Sequence, residues 1–153
     1  MIYRIRIILD VKEDVFRDIE IVETSTLEDL HHAITQSFGF LGNEMASFYK
    51  SNESWHQGEE LALESMENGF NMRDEPLNKI FTSSQHHLIY VYDFLNLWTF
   101  FVELNETADI ISSSSYPNLI YSKGDVPEEA PEKIFEADNE KELEANSEEE
   151  DID

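Results

Sequence analysis

The sequence predicts one α+β domain, a mixed or antiparallel β-sheet covered by one main helix, followed by a disordered acidic C-terminal tail. Three observations predict it. The chain opens on a strand-like alternation, continues into a capped amphipathic segment, and carries two dense runs of branched and aromatic residues between Leu88 and Leu104. Strand, strand, helix and further strands is the order of a β-grasp-like arrangement, in which one helix covers a mixed sheet.

Taken in order, Tyr3, Ile5, Ile7 and Leu9 alternate with Arg4 and Arg6, the pattern of a half-buried strand. Asp10 to Asp14 is polar enough to turn, and Val15 to Val22 forms a second strand with Arg17, Ile19 and Ile21 on one side. So short a connection makes the pair an antiparallel hairpin. Ser25-Thr26-Leu27-Glu28 has the form of a capping box, with Ser25 as the cap and Glu28 reaching back. Leu27, Leu30, Ile34 and Phe38 follow at helical spacing, and Gly39 can end the helix in a left-handed conformation. The main helix therefore runs from Thr26 to Phe38.

Ala46 to Lys50 reads as a third strand, with Trp55 on a neighbouring one. Between Glu59 and Arg73 the alternation of Leu61 and Leu63 with Glu60 and Glu64 suits an edge strand, while Asn68-Gly69 suits a loop. Pro76 to Phe81 is a single helical turn with proline at its first position. Leu88 to Phe94 and Trp98 to Leu104 are the central strands, joined tightly through Leu95-Asn96-Leu97 and apolar on both faces. Beyond Leu104 the pattern weakens: Ser112 to Ser115 is a loop, and Tyr116 to Tyr121 is irregular chain packed on the body. The organisation is thus a domain at 1–133 and a tail at 134–153, too poor in apolar side chains to offset its conformational entropy.

The formal charge of −24 is unevenly placed: 14 acids and 2 lysines lie from Gly124 onward, against 20 acids and 8 bases before it. An acidic body argues against gripping nucleic acid, which draws its affinity from clustered cations. With no cysteine there is no disulfide, thiolate nucleophile or cysteine-based metal site. No leader pattern opens the chain, and no apolar run reaches the roughly 18–20 residues that span a bilayer. A cytoplasmic protein with no membrane association is the expectation.

At this point several segments, in order, resemble the plasmid pRiA ORF-three-like family, whose members are also labelled insertion-element passengers of TnpR type. Tyr3-Arg4-Ile5-Arg6-Ile7 and Val15 to Ile21 resemble its first two strands. Thr26-Leu27-Glu28-Asp29-Leu30-His31, running on to Phe38-Gly39-Phe40, resembles its helix. Tyr90-Val91-Tyr92-Asp93-Phe94 with Trp98 is similar to its Tyr-Asp-Phe-Gly-Asp-x-Trp hairpin, and Pro127-Glu128-Glu129 to its closing Pro-Pro-Glu-Asp segment. The resemblance covers Ile2 to Pro131. Three positions depart from it. Leu95 and Asn96 stand where typical members carry glycine and aspartate, Phe100 stands for a histidine after the tryptophan, and Ala46 stands for another histidine. Of a histidine site in such members, His31 alone would remain. The resemblance implies a bacterial, mobile-element-associated protein of unknown function and carries over no reaction.

The candidate binding residues are His31, Asp93 and Trp98. A metal site would need one histidine from each of the pairs His31-His32 and His86-His87 together with Asp93. Neighbours on a helix point ~100° apart and neighbours on a strand point to opposite faces, so ordinary surface or loop histidines are the simpler reading and no metal ligand is assigned. Asp93, among aromatics, can serve as a base or can accept backbone N–H bonds in the turn before Trp98; the second role is favoured because no further catalytic group stands at a fixed spacing. Recombinase chemistry needs a serine within an arginine cluster. Ser83-Ser84 and Ser112 to Ser115 have none beside them, and the stripe of Arg4, Arg6 and Arg17 across the first hairpin faces carboxylates of the same body.

The expectation is therefore a non-enzymatic protein-interaction or binding module with no catalytic residue and no cofactor, and a protein partner of unknown identity. The alternative is a small-ligand binder or enzyme with its site near the Asp93–Trp98 hairpin.

Overall fold

The N-terminal alternation becomes a hairpin in which β1 (Ile2–Leu9) pairs antiparallel with β2 (Phe16–Val22), Ile5 opposite Ile19 and Ile7 opposite Arg17. The structure, a computed structural model, describes residues 1–62 and 71–132. The expected continuation of an edge strand through Leu63, the loop at Asn68-Gly69 and the acidic tail at 134–153 lie outside the described residues.

The helix α1 (Leu27–Phe38) buries Leu27, Leu30, His31, Ala33, Ile34, Thr35 and Phe38, the stripe set by its apolar spacing. Its capping box is made by Thr26 and Asp29, one residue later than Ser25 and Glu28. Ser25 is held in a turn instead: its N–H donates to Val22 and its carbonyl accepts from Leu77, so it cannot open the helix. Gly39 closes α1 at φ +84°, where a side chain would be strained.

The remaining elements are β3 (Ala46–Ser51), β4 (Glu60–Ala62), a 3₁₀ turn (Met72–Asp74), α2 (Leu77–Ile80), β5 (His87–Tyr92), β6 (Trp98–Ala108) and β7 (Asn118–Lys123). Among the described residues they form one seven-stranded sheet in the order β4-β3-β5-β6-β1-β2-β7. Every pairing among them is antiparallel, including those of β1 with β2 and β6, so of the mixed or antiparallel sheet expected from the sequence the antiparallel form is the one present.

Three expectations about elements are corrected. β6 runs on past Leu104 to Ala108 because β1 keeps pairing with it, Ile2 opposite Ala108. Tyr116 to Tyr121 is not irregular: from Asn118 it is the edge strand β7, bonded to β2 with a bulge opposite Asp18 and Ile19. Its six residues are all exposed, which is why no burial alternation betrays it. Trp55 lies in the loop after β3 at φ +60°, with its ring against His87 and Phe101.

Helix α1 covers one face of the sheet, where Phe38 meets Phe100 edge-on at 4.9 Å and Tyr90, Phe48 and Phe100 are fully buried. Each such side chain contributes about 2–3 kcal/mol of transfer free energy. Arg17 shares this face: its guanidinium donates to the carbonyls of Phe16, Ser37 and Lys123 and lies over the Phe38 ring. Arg4 and Arg6 emerge on the other face, paired with Glu20 and Glu106 and with Asp18. The three arginines therefore do not form one stripe. Among the described residues no helix is long and apolar enough to cross a membrane.

Candidate functional site

Two loops meet at one end of the sheet, and the tight β5–β6 connection positions both. Tyr92 ends β5 and Trp98 opens β6, and the two are paired across the hairpin. Between them the chain turns through Asp93 and Leu97, both at positive φ. An aspartate tolerates this conformation because its carboxylate can bond its own backbone. Here Oδ1 accepts from the N–H groups of Leu95 (3.2 Å) and Asn96 (3.4 Å), and the Asn96 side chain donates to Oδ2 at 2.7 Å. Asp93 thus has the turn-making contacts, with its carboxylate occupied by them.

The second loop follows Gly39. Tyr92 Oη accepts the N–H groups of Gly42 (3.0 Å) and Asn43 (3.2 Å), and the Asp93 N–H donates to the Met45 carbonyl at 2.8 Å. Below it Phe40 packs on Trp98, Tyr92 and Phe100 with ring centroids 4.9, 5.4 and 6.1 Å away. The loops are therefore seated on a rigid aromatic base rather than hung in solvent.

His31, Asp93 and Trp98 all belong to this end, but they do not converge. His31 is 3% exposed, inside the core, with Nδ1 hydrogen-bonded to the Tyr90 hydroxyl. The Gly42 backbone beside the ring works in the direction of protonation. Burial nevertheless pulls the His31 pKa down to about 4, with adjacent His32 adding to the effect. Burial likewise pushes the Tyr90 phenol up, with Tyr92 adding. Trp98 is 7% exposed and serves as packing. Three cavities among the described residues, of about 540, 390 and 350 Å³, take no wall from these three residues.

The metal arrangement weighed from the sequence is also not assembled. His86 and His87 stand at the start of β5 and Asp93 just past its end, a six-residue strand apart, about 20 Å. Among the described residues no three His, Asp or Glu side chains are grouped to hold a metal ion.

What this end does present is apolar surface. Leu41 is 88% exposed, Leu95 93%, Met45 59% and Phe94 42%. Leu41 and Met45 come from one loop and Phe94 and Leu95 from the other. Reading the sequence for chemistry passed over them. Leu95 had a usable signal, a leucine at a turn position where the resembling family carries glycine; Leu41 and Met45 had none, since an apolar residue beside a helix end reads equally well as core.

A family model described as plasmid pRiA4b ORF-3-like protein matches residues 1–151. Among solved structures the chain is similar to a protein of unknown function from Methanosarcina mazei Go1, with a TM-score of 0.73 and 22% identity over 98% of this chain and 83% of that one. At that identity the likeness concerns the fold. The comparison with curated proteins gave no match.

Proposed function

The chain belongs to the plasmid pRiA4b ORF-3-like protein family, whose name carries no reaction, and from the geometry of the hairpin end we propose that it is a non-enzymatic protein-interaction module. The observation that carries this reading is the exposure of Leu41 and Leu95, 88% and 93%, on two loops tied together by the Asp93–Met45 backbone bond of 2.8 Å. The fold gains nothing from either side chain: the turn rests on Asp93, and the base beneath is closed by Phe40 and Trp98. Clustered apolar side chains left in water on a rigid support are the usual mark of a docking surface.

The partner we propose is a protein segment with apolar side chains bordered by lysine or arginine. Glu44 stands on one of the two loops, and the 123 residues before Gly124 hold 20 acids against 8 bases. A second copy of a chain with net charge −24 would meet repulsion at this surface, whereas a basic partner would be drawn to it. In this reading the protein is bacterial and cytoplasmic, travels with a mobile element as the family's plasmid name implies, and does not act on nucleic acid. The pairing of Arg4 and Arg6 with carboxylates supports that last part.

Affinity capture from a bacterial lysate tests the proposal, using the intact chain beside a Leu41→Asp/Leu95→Asp variant of matched melting temperature. A basic protein held by the wild type, released by salt and lost from the variant supports it. Capture indifferent to the variant, no capture at all, or a homodimer that the variant dissolves would each overturn it.

A further inference from the structure

At the opposite end of β5, two loops border an open cleft of about 540 Å³ whose walls include Glu53, Ser54, Ser83, Ser84, His86 and His87. We propose that this cleft binds a small neutral polyhydroxylated molecule of the monosaccharide or polyol class. It is separate from the docking surface above and does not depend on it.

The size falls within the range of about 300–1,000 Å³ typical of small-molecule sites. The chemistry of the wall narrows the class. Serine hydroxyls both donate and accept, a neutral imidazole does one at each nitrogen, and a carboxylate accepts. That mixture matches a ligand whose own hydroxyls do both. An anion fits poorly, because no lysine or arginine lines the cleft and Glu53 does. A metal ion fits poorly as well, because among the described residues no three ligating side chains are grouped.

The cleft is also held open in a fixed shape. Gln85 spans its two sides, Nε2 donating to the carbonyls of Ser51 (2.9 Å) and His87 (2.7 Å). Thr82 and Gln85 exchange backbone bonds of 3.2 Å, closing the turn that carries Ser83 and Ser84. On the other side Asn52 Oδ1 accepts from the N–H groups of Ser54 (3.0 Å) and His56 (3.2 Å). That loop can return to the sheet because Gly58 passes the Lys50 carbonyl so closely that a Cβ would lie 2.7 Å from its oxygen. His87 is set from behind by Glu103 at 3.4 Å and by the perpendicular Trp55 ring at 5.0 Å. A wall positioned before the ligand arrives lowers the ordering cost of binding.

The test is ligand-observed saturation-transfer NMR on the intact protein with glucose, galactose, N-acetylglucosamine, myo-inositol and glycerol, beside inorganic phosphate and zinc. Ser84→Trp fills the cleft from an exposed turn, and His86→Ala only removes atoms; Leu95→Asp, at the far end of the strand, is the control. The expected result is saturable binding of at least one polyol, weakened about tenfold or more by Ser84→Trp and by His86→Ala and unchanged by Leu95→Asp. Binding by no polyol, binding insensitive to both cleft variants, or a preference for phosphate or zinc would overturn the assignment.

Discussion

The Tyr90 hydroxyl and Nδ1 of His31 are hydrogen-bonded inside the core, joining the covering helix α1 to the middle of the sheet. Each is the other's buried polar partner, and removing one leaves its mate unsatisfied. Tyr90→Phe is therefore expected to cost about 1–3 kcal/mol despite conserving nearly all the volume. Chemical denaturation of the two proteins measures it.

The same pair gives a pH dependence. Burial holds the folded-state pKa of His31 near 4, below the ordinary value of 6.5. The unfolded chain therefore binds the proton first as pH falls. The contribution of neutral His31 is complete above about pH 6.5 and is lost progressively down to about pH 4, at no more than ~1.4 kcal/mol per pH unit. Carboxylates titrate nearby, so the quantity to measure is the stability difference between wild type and His31→Gln across that window. It should narrow steadily as pH is lowered.

Asp93 is expected to act on stability through its turn bonds. Asp93→Ala removes the acceptor for Leu95, Asn96 and the Asn96 side chain and leaves an ordinary residue at φ +67°. The expected loss is about 1–2 kcal/mol. Asp93→Asn keeps an acceptor and tolerates the conformation, so it should lose less than half as much in the same denaturation experiment.

Arg17 is a staple between β2, the end of α1 and the edge strand β7, through carbonyls at 3.0 Å (Ser37), 2.9 Å (Phe16) and 3.0 Å (Lys123). Arg17→Met keeps the apolar stem but leaves those carbonyls without the guanidinium. Stability should fall by about 2 kcal/mol, and amide exchange should rise first in β7, which has β2 as its partner strand.

Much of the fold was legible because the signals were local. Leu27, Leu30, Ile34 and Phe38 announce α1, and the runs around Tyr90 and Phe100 announce the central strands. What was not legible depends on partners distant in sequence. β7 is a strand because β2 lies beside it, a hundred residues away in the chain, and an exposed edge strand has no burial pattern to read. The cap moved from Ser25 to Thr26 because Leu77 claims the Ser25 carbonyl, a contact that no local rule contains. Sheet direction likewise followed from the antiparallel meeting of β1 with β6. For the site the missed signal was nearer to hand. His31 falls between Leu27, Leu30 and Ile34 on the apolar stripe, so its burial is readable from spacing, although an imidazole suits a surface or binding role equally well.

We propose that the loops around Leu41 and Leu95 take the partner, and hydrogen exchange on the complex with the captured protein is the sharpest check. New protection is expected at residues 40–45 and 93–97, with the cleft between residues 51–54 and 83–87 unchanged. Protection confined to that cleft or to β7, with the hairpin end exchanging as in the free protein, would overturn the proposal.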